Sequence, residues 1–267
     1  MKIVSWNLNQ EKVPGAWAYL AEELNADLAL LQEALPRRQC AVFRPSGIAG
    51  RDGKARPWGS AVVAFSDNVE ITPVGLAEGQ WRGRGLGLAP LECVSRGHVA
   101  IARVEAADVQ FTAISAYGLM EFGYASGTLL RTIADLEPLL DDAGLGDNVL
   151  LAGDWNIGTW WSDKEDAKYV QREGAALRLL EAYGFRDCLR YHMPAGRGRI
   201  PDCPCAFGDD CSHVRTYRKS GSSSAYQDDY LFATEPFADL IGSAEVDPNW
   251  DWTSSVSDHA PLVAVLG

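Results

Sequence analysis

The stretch Asn148–Asn156, with the sequence NVLLAGDWN, is the most informative segment of the chain. Its apolar run up to Ala152 predicts a short buried β-strand, which Gly153 and then Asp154 follow. Asp154 and Asn156 lie two positions apart, so on an extended segment their side chains would point the same way. A carboxylate can orient or deprotonate a water molecule, and an amide can donate to an oxyanion. Asp and Asn are also common in ordinary turns after strands, so both interpretations stay open.

Four further short motifs place polar residues at or after apolar runs. They are Ser5-Trp6-Asn7, Leu31-Gln32-Glu33, Ala116-Tyr117 and Ser257-Asp258-His259. Most of them close or follow a run that is typical of a strand, so their polar side chains can converge at strand ends. A single tripeptide of this kind means little. The full set, in this order and spacing, indicates one site built from distant parts of the chain.

The set of motifs resembles that of the endonuclease/exonuclease/phosphatase superfamily, the group related to deoxyribonuclease I and exonuclease III. The resemblance extends from Asn7 to His259. It implies an α/β (α+β) fold, a four-layer sandwich of two mixed β-sheets flanked by helices. It also implies a metal-dependent phosphoric ester hydrolase in which water attacks in line. One such scaffold serves many phosphoesters, so the substrate stays open.

Three residues are the metal ligands that the resemblance implies: Glu33, Asn7 and Asp258. Carboxylate and amide oxygens suit Mg²⁺ or Mn²⁺, and such a cation can neutralise the charge of an anionic phosphoester. A glutamate after a strand is commonly an ordinary surface residue. The presence of Asn7 and Asp258 in the same set favours the metal role for Glu33.

The resemblance implies that Asp154 orients or deprotonates the attacking water and that Asn156 contacts the transition state. It also implies that the hydroxyl of Tyr117 approaches the scissile phosphate. The Ala-Tyr pair is similar to that of the apurinic-endonuclease branch. That branch usually continues toward Pro-Asn, whereas this chain continues with Gly118-Leu119-Met120. The departure weakens a specific expectation of abasic-site repair. A plain aromatic residue at the edge of the core is the alternative for Tyr117.

His259 is the implied donor to the charge that develops on phosphorus, provided that a carboxylate holds its ring. The resemblance implies that this carboxylate is the aspartate that precedes a tyrosine in a strand. The chain has a doubled Asp228-Asp229 before Tyr230. Asp229, the residue adjacent to the tyrosine, is the better match and is the predicted partner.

Three residues near the motifs are weaker candidates for substrate binding: Trp160, Trp161 and Arg96. Exposed indoles beside a phosphoesterase centre can stack on bases, and an arginine in a basic glycine-rich loop can contact phosphate. The alternatives are indoles that cap the edge of a sheet and a plain surface loop.

A second cluster, made of Cys203, Cys205, Cys211 and His213, has the residue types of a structural Zn²⁺ site. Its Cys-x-Cys and Cys-x-His spacings are tighter than the usual Cys-x₂-Cys. Reduced thiols in a loop are the leading alternative, and a disulfide in an oxidising compartment is another. The remaining cysteines, Cys40, Cys93 and Cys188, are expected to be small buried residues.

The composition fits one domain over residues 1–267, because no Gly/Ser/Pro-rich linker divides the chain and the motifs span both halves. No apolar run is long enough to span a bilayer, and the first residues lack the features of a signal peptide, so a cytoplasmic protein is expected. The net charge of −12 argues against holding long nucleic acid by bulk electrostatics.

We therefore expect a nuclease that hydrolyses DNA or RNA phosphodiester bonds. The alternative is a phosphatase or phosphodiesterase for a small phosphorylated molecule or lipid headgroup, which the acidic charge favours. A binding module that kept the fold without catalysis is a third possibility. It is disfavoured because every motif position carries a chemically competent residue.

Overall fold

The computed structural model describes residues 1–49, 53–77, 91–92, 98–106, 109–121, 124–142, 144–158, 167–193, 200, 212–218, 227–253 and 256–267. The strands are, in chain order, Lys2–Asn7 (β1), Leu28–Ala34 (β2), Cys40–Pro45 (β3), Gly59–Ala64 (β4), Val69–Pro73 (β5), Leu76–Ala77 (β6), Leu91–Glu92 (β7), Val99–Ala106 (β8), Val109–Tyr117 (β9), Val149–Asp154 (β10), Phe185–Asp187 (β11), Asp229–Thr234 (β12), Ile241–Val246 (β13) and Leu262–Leu266 (β14). The helices are Ala16–Ala18 (α1), which continues as a π-helix over Tyr19–Glu23, then Ser126–Leu140 (α2), Ala167–Ala182 (α3), Cys188–His192 (α4) and Glu235–Ala238 (α5).

The longer strands form two mixed six-stranded sheets. The first sheet has the order β13-β14-β1-β2-β4-β3, and the second has the order β11-β12-β10-β9-β8-β5. The two short strands β6 and β7 pair in parallel as a separate ribbon. Parallel neighbours occur at β1–β2 and at β9–β10, and the remaining pairs within the two sheets are antiparallel.

The sheets face each other across a shared apolar layer. Because side chains alternate along a strand, one face of each sheet lines this layer; Leu30 and Val62 come from the first sheet, and Ala152 and Leu231 from the second. The outer face of the second sheet is covered by α2 and α3, and that of the first by the α1 segment. The result is the predicted four-layer sandwich, which is confirmed.

The helical segment near residue 20 is one α-turn followed by a π-helix, and within it Leu20 is buried whereas Ala21 is exposed. Two of the three cysteines that were expected to be small buried residues are described. Cys40 is only half-buried, since it lies on β3 at the edge of its sheet. Cys188 is buried as expected, and Cys93 lies outside the described residues. In the part of the chain that the structure describes, no helix is long and apolar enough to cross a membrane.

The topology brings the sequence motifs to one end of the sandwich. In the first sheet Asn7 ends β1 beside Gln32 of β2, and in the second Asp154 ends β10 beside Tyr117 of β9. Both pairs are parallel, so the carboxyl ends of all four strands point the same way within their sheets. Asn7 and Asp154 also meet across the gap between the sheets.

Candidate active site

Gly153 is the residue that allows β9 and β10 to approach closely at the site. A Cβ atom at this position would lie 1.8 Å from the carbonyl oxygen of Ala116, which no side chain can do without moving the backbone. The next residues alternate: the Asp154 side chain faces the gap between the sheets, and Trp155 packs into the apolar layer beneath the helices. Trp155 is therefore held in the core, and its neighbour Asp154 faces the site.

Asp154 is almost fully buried and accepts three hydrogen bonds. Its Oδ2 accepts from Nδ2 of Asn7 at 2.8 Å and from Nδ2 of Asn156 at 3.1 Å, and its Oδ1 accepts from the backbone N–H of Asn156 at 2.9 Å. Burial raises the pKa of Asp154 well above its ordinary value, while the charge of His259 opposes that rise. The Asn7 contact joins the two sheets directly at the site.

His259 lies between two carboxylates. Its Nδ1 is 2.8 Å from Oδ2 of Asp229, and its Nε2 is 3.8 Å from Oδ2 of Asp154. Burial alone would lower the pKa of His259, but Asp229 and Asp154 outweigh burial and raise it to about 10. The structure thus places Asp229 against the ring and does not place Asp228 there. Burial raises the pKa of Asp228 to about 7.

Glu33 reaches the site through an irregularity in β2. The pairing of β2 with β4 shifts between Leu31 and Ala34, and Glu33 has a positive φ of 47°. A bulge of this kind re-aims a side chain, and left-handed backbone is uncommon for glutamate. Burial, followed by the negative charges of Glu33 and Asp154, raises the pKa of Tyr117, which indicates that the phenol lies close to both carboxylates.

The segment 257–259 is held against the end of β1. The hydroxyl of Ser257 donates to the carbonyl oxygen of Asn7 at 2.7 Å and accepts from the backbone N–H of His259 at 3.1 Å. The indole of Trp6 donates to the carbonyl oxygen of His259 at 2.8 Å. These bonds hold the residues on both sides of Asp258 against the end of β1.

The donor atoms at the site fit a cation. Asn7, Glu33 and Asp258 offer amide and carboxylate oxygens from the same end of the first sheet, which is the chemistry that hard divalent cations take. In addition, ligand atoms of Asp154, Asp229 and His259 all lie within 4.8 Å of one another, close enough to hold a metal ion.

Two contributors to the geometry were missed by the sequence analysis. Thr216 hydrogen bonds to the backbone of Asp229 at 3.0 Å, and the ring of Tyr217 packs on His259 with centroids 4.7 Å apart. Neither residue stands in a recognisable motif. Their importance comes from contacts with distant residues, which composition and spacing do not reveal.

Several predicted site residues lie outside the described residues: Arg96, Trp160, Trp161, Cys203, Cys205 and Cys211. Their proposed roles therefore remain predictions. The fourth member of the cysteine cluster, His213, is buried, and burial lowers the pKa of its ring. Its carbonyl oxygen accepts from the backbone N–H of Ile200 at 2.9 Å.

No protein-family model and no curated protein sequence matches the chain. Solved structures do resemble it over nearly its whole length. The endonuclease domain of TRAS1, a telomere-specific non-LTR retrotransposon, is 20% identical, with a TM-score of 0.61 and coverage of 99% of this chain and 97% of that chain.

Two AP endonucleases are similar to the same extent. The enzyme from Archaeoglobus fulgidus is 17% identical, with a TM-score of 0.63 and coverage of 100% of this chain and 99% of that one. The enzyme LMAP from Leishmania major is 14% identical, with a TM-score of 0.63 and coverage of 98% and 86%. At these identities the similarity concerns the fold. The chain therefore shares the overall fold of these three nucleases, and this is the four-layer fold that its motifs predict.

Proposed function

We propose that the protein is a divalent-metal-dependent phosphoesterase, and specifically a nuclease that cleaves DNA or RNA phosphodiester bonds. The observation that carries the proposal is the convergence of two hydrogen-bonded pairs, Asn7–Asp154 and Asp229–His259, with Nε2 of His259 3.8 Å from Oδ2 of Asp154. Buried titratable groups gathered at one end of a fold are typical of an active site. The similarity to two AP endonucleases and a retrotransposon endonuclease domain supports nucleic acid as the substrate.

Asn7, Glu33 and Asp258 are the residues that would hold Mg²⁺ or Mn²⁺. When bound, such a cation neutralises phosphate charge and stabilises the charge that develops in phosphoryl transfer. Its oxygen donors come from β1, from the bulge of β2, and from the segment before β14. The strands β14, β1 and β2 are neighbours in the first sheet, so the same sheet holds all three ligands in place.

The remaining residues act on the water and on the phosphate. Asp154, held by Asn7 and Asn156, orients the attacking water and accepts its proton. His259, held by Asp229, donates to the phosphoryl oxygens as negative charge grows on them. The phenol of Tyr117 is a second donor on the side of Glu33. In in-line attack the bond from phosphorus to the leaving oxygen breaks on the side opposite the attacking water as the new bond to the water forms.

A phosphatase or phosphodiesterase for a small phosphorylated molecule is the second candidate. One observation favours it, the net charge of −12, since long nucleic acid is bound largely through basic residues that release counterions. A local donor set such as that around His259 can still bind one phosphate on an acidic protein. The two candidates therefore differ in how much of the substrate the protein contacts.

A parallel turnover assay with Mg²⁺ separates the candidates. The substrates are plasmid DNA, single-stranded DNA, RNA, a duplex with an abasic site, and a panel of phosphomonoesters. We expect turnover of at least one nucleic acid. Turnover of phosphomonoesters alone would replace the nuclease by the second candidate. Absence of turnover with either Mg²⁺ or Mn²⁺, in protein that is folded by circular dichroism, would instead indicate a non-catalytic binding module.

A further inference from the structure

The two members of the His259–Asp229 pair come from parts of the chain that connect to different sheets. Asp229 is the first residue of β12 in the second sheet, and His259 lies just before β14 in the first. Their relative position therefore depends on how the two sheets are held together at this end. A catalytic histidine needs its supporting carboxylate within hydrogen-bonding distance, so this arrangement requires a physical support.

The segment 212–218 bonds to both sheets at this point. The backbone of Thr216 accepts at its carbonyl oxygen from the N–H of Ala260 at 2.7 Å, next to His259. Its Oγ1 accepts from the N–H of Asp228 at 2.9 Å and from the N–H of Asp229 at 3.0 Å. Thr216 is fully buried, so water does not compete for these bonds.

The neighbouring residues strengthen the same connection. The ring of Tyr217 packs on the ring of His259, and the backbone of the two residues forms an antiparallel bridge. The N–H of Arg218 donates to the carbonyl oxygen of Asp258 at 2.9 Å. On the other side, the amide oxygen of Gln227 accepts from the N–H of Val214 at 3.1 Å. The segment therefore bonds to residues next to Asp229 and to residues next to His259.

We propose that Thr216 is a positioning residue that sets the distance between Asp229 and His259. The proposal rests on the proposed function, since it assigns a role in the reaction that His259 and Asp229 perform. Thr216 acts through its bond to the backbone of Asp229 and through its bond to Ala260, the residue that follows His259. Loss of its hydroxyl would leave two buried N–H groups without an acceptor and release the start of β12.

The test compares Thr216→Val with Thr216→Ser. Valine keeps the branched shape and removes the acceptor, whereas serine keeps the acceptor and loses a methyl group. We expect Thr216→Val to lower kcat by about 10- to 100-fold, because a misplacement of a catalytic group by about 1 Å can cost about 100-fold. We expect KM to change by less than about twofold, since the uniform binding of substrate is untouched. Thr216→Ser should keep nearly full kcat.

A second readout does not depend on turnover. The proton between Nδ1 of His259 and Oδ2 of Asp229 should give a downfield imidazole resonance in proton NMR, which is readily assigned because the chain has four histidines. We expect this resonance in the wild-type protein and in Thr216→Ser, and its upfield shift or loss in Thr216→Val. If the wild-type protein has no activity, the proposed function fails while this readout still tests the role of Thr216.

Thr234→Val is the matched control. Thr234 lies at the other end of β12, where its Oγ1 accepts from the N–H of Val149 at 2.9 Å and donates to the carbonyl oxygen of Asp147 at 2.9 Å. Its loss should lower the melting temperature without moving the His259 resonance. If Thr216→Val does not fold, Thr216→Ala, which leaves space for a water molecule, is measured in the same way. An unchanged resonance and unchanged kcat in the folded variant would overturn the proposal.

Discussion

Nδ1 of His259 and Oδ2 of Asp229 lie 2.8 Å apart, although the residues are separated by 30 positions, and Asp229 begins a strand of the second sheet whereas His259 lies just before a strand of the first. The contact is short enough for a charge-assisted hydrogen bond. It holds the ring so that Nε2 faces the side of Asp154, where the phosphate is proposed to bind. The predictions below concern this pair and the residues that support the site.

Replacement of the ring should remove catalysis and leave the fold intact. We expect His259→Ala to lower kcat by about 100-fold or more, the size of effect seen when a donor to a developing oxyanion is lost. Asp229→Asn should cost less, since the ring stays in place and loses only its orienting charge. Steady-state kinetics and melting temperature measure both effects. His192→Ala, in α4 away from the site, is the control and should keep full activity.

Glu33 should determine the metal requirement. We expect EDTA to abolish activity and Mg²⁺ or Mn²⁺ to restore it, because the site presents oxygen donors for a hard cation. Glu33→Gln should raise the Mg²⁺ concentration needed for half-maximal activity by about tenfold or more, since a charged ligand is lost. Glu70→Gln, at an exposed position of β5, is the control. Full activity of the wild-type protein in excess EDTA would contradict the metal assignment.

Gly153 should tolerate no side chain. We expect Gly153→Ala to destabilise the protein by about 3 kcal/mol or more and to abolish activity, because β9 and β10 would have to separate around the new Cβ. Urea unfolding measures the change. Gly127→Ala is the control, as its nearest heavy atom would be 4.0 Å away and the residue lies in α2. That variant should be neutral or up to about 1 kcal/mol more stable.

We expect Asp187 to make the free energy of unfolding decrease as the pH rises from 4 to 6. Burial raises the pKa of this carboxyl to about 6 from 3.8, so the folded state binds its proton more tightly than the unfolded state. The free energy of unfolding then decreases as pH rises through this window. At neutral pH the negative charge of Asp187 destabilises the folded state. Asp187 also accepts from the N–H of Leu189 at 3.0 Å, and asparagine can keep that cap.

We therefore expect Asp187→Asn to stabilise the protein at pH 7.5 by about 1–2 kcal/mol and to have little effect at pH 4. Denaturant unfolding at the two pH values measures the difference. Asp67→Asn serves as the comparison, because it replaces an exposed carboxylate. An equal effect of Asp187→Asn at both pH values would show that the charge of Asp187 carries no cost in the folded protein.

Cys203, Cys205, Cys211 and His213 should bind about one Zn²⁺ per chain if they form a metal site, because thiolates hold Zn²⁺ far more tightly than oxygen ligands hold Mg²⁺. Elemental analysis of purified protein after dialysis tests this. Substitution of Cys203 and Cys205 by serine should remove the Zn²⁺, whereas Cys188→Ser, at a buried position in α4, should not. Zinc-free wild-type protein, or a disulfide between two of the cysteines, would rule out the site.

The sequence was sufficient to predict the fold and the contact between two residues of the sequence motifs. The apolar run before Asp154 predicted β10, and the aspartate adjacent to Tyr230 predicted the partner of His259 that the structure shows. The strand follows from a local apolar pattern, whereas the pairing of Asp229 with His259 follows from the resemblance. The roles assigned to the site residues remain predictions until the variants are measured.

The features that were missed depend on tertiary contacts. The π-helix at Tyr19–Glu23 has the same apolar spacing as an α-helix, so its pattern does not distinguish the two. The bulge that turns Glu33 toward the site arises from the pairing of β2 with β4. Thr216 has no motif, because its bonds join residues 12, 13 and 44 positions away in the chain.

Asp229 begins a strand of the second sheet and His259 precedes a strand of the first, and this separation also bears on how the protein acquires activity during folding. A partly folded chain with only one sheet in place would carry the histidine without its carboxylate, or Asp154 without Asn7. Intermediates of this kind are common in chains of this length. Activity should thus appear only when the two sheets dock on each other. The return of turnover during refolding would therefore report this docking step.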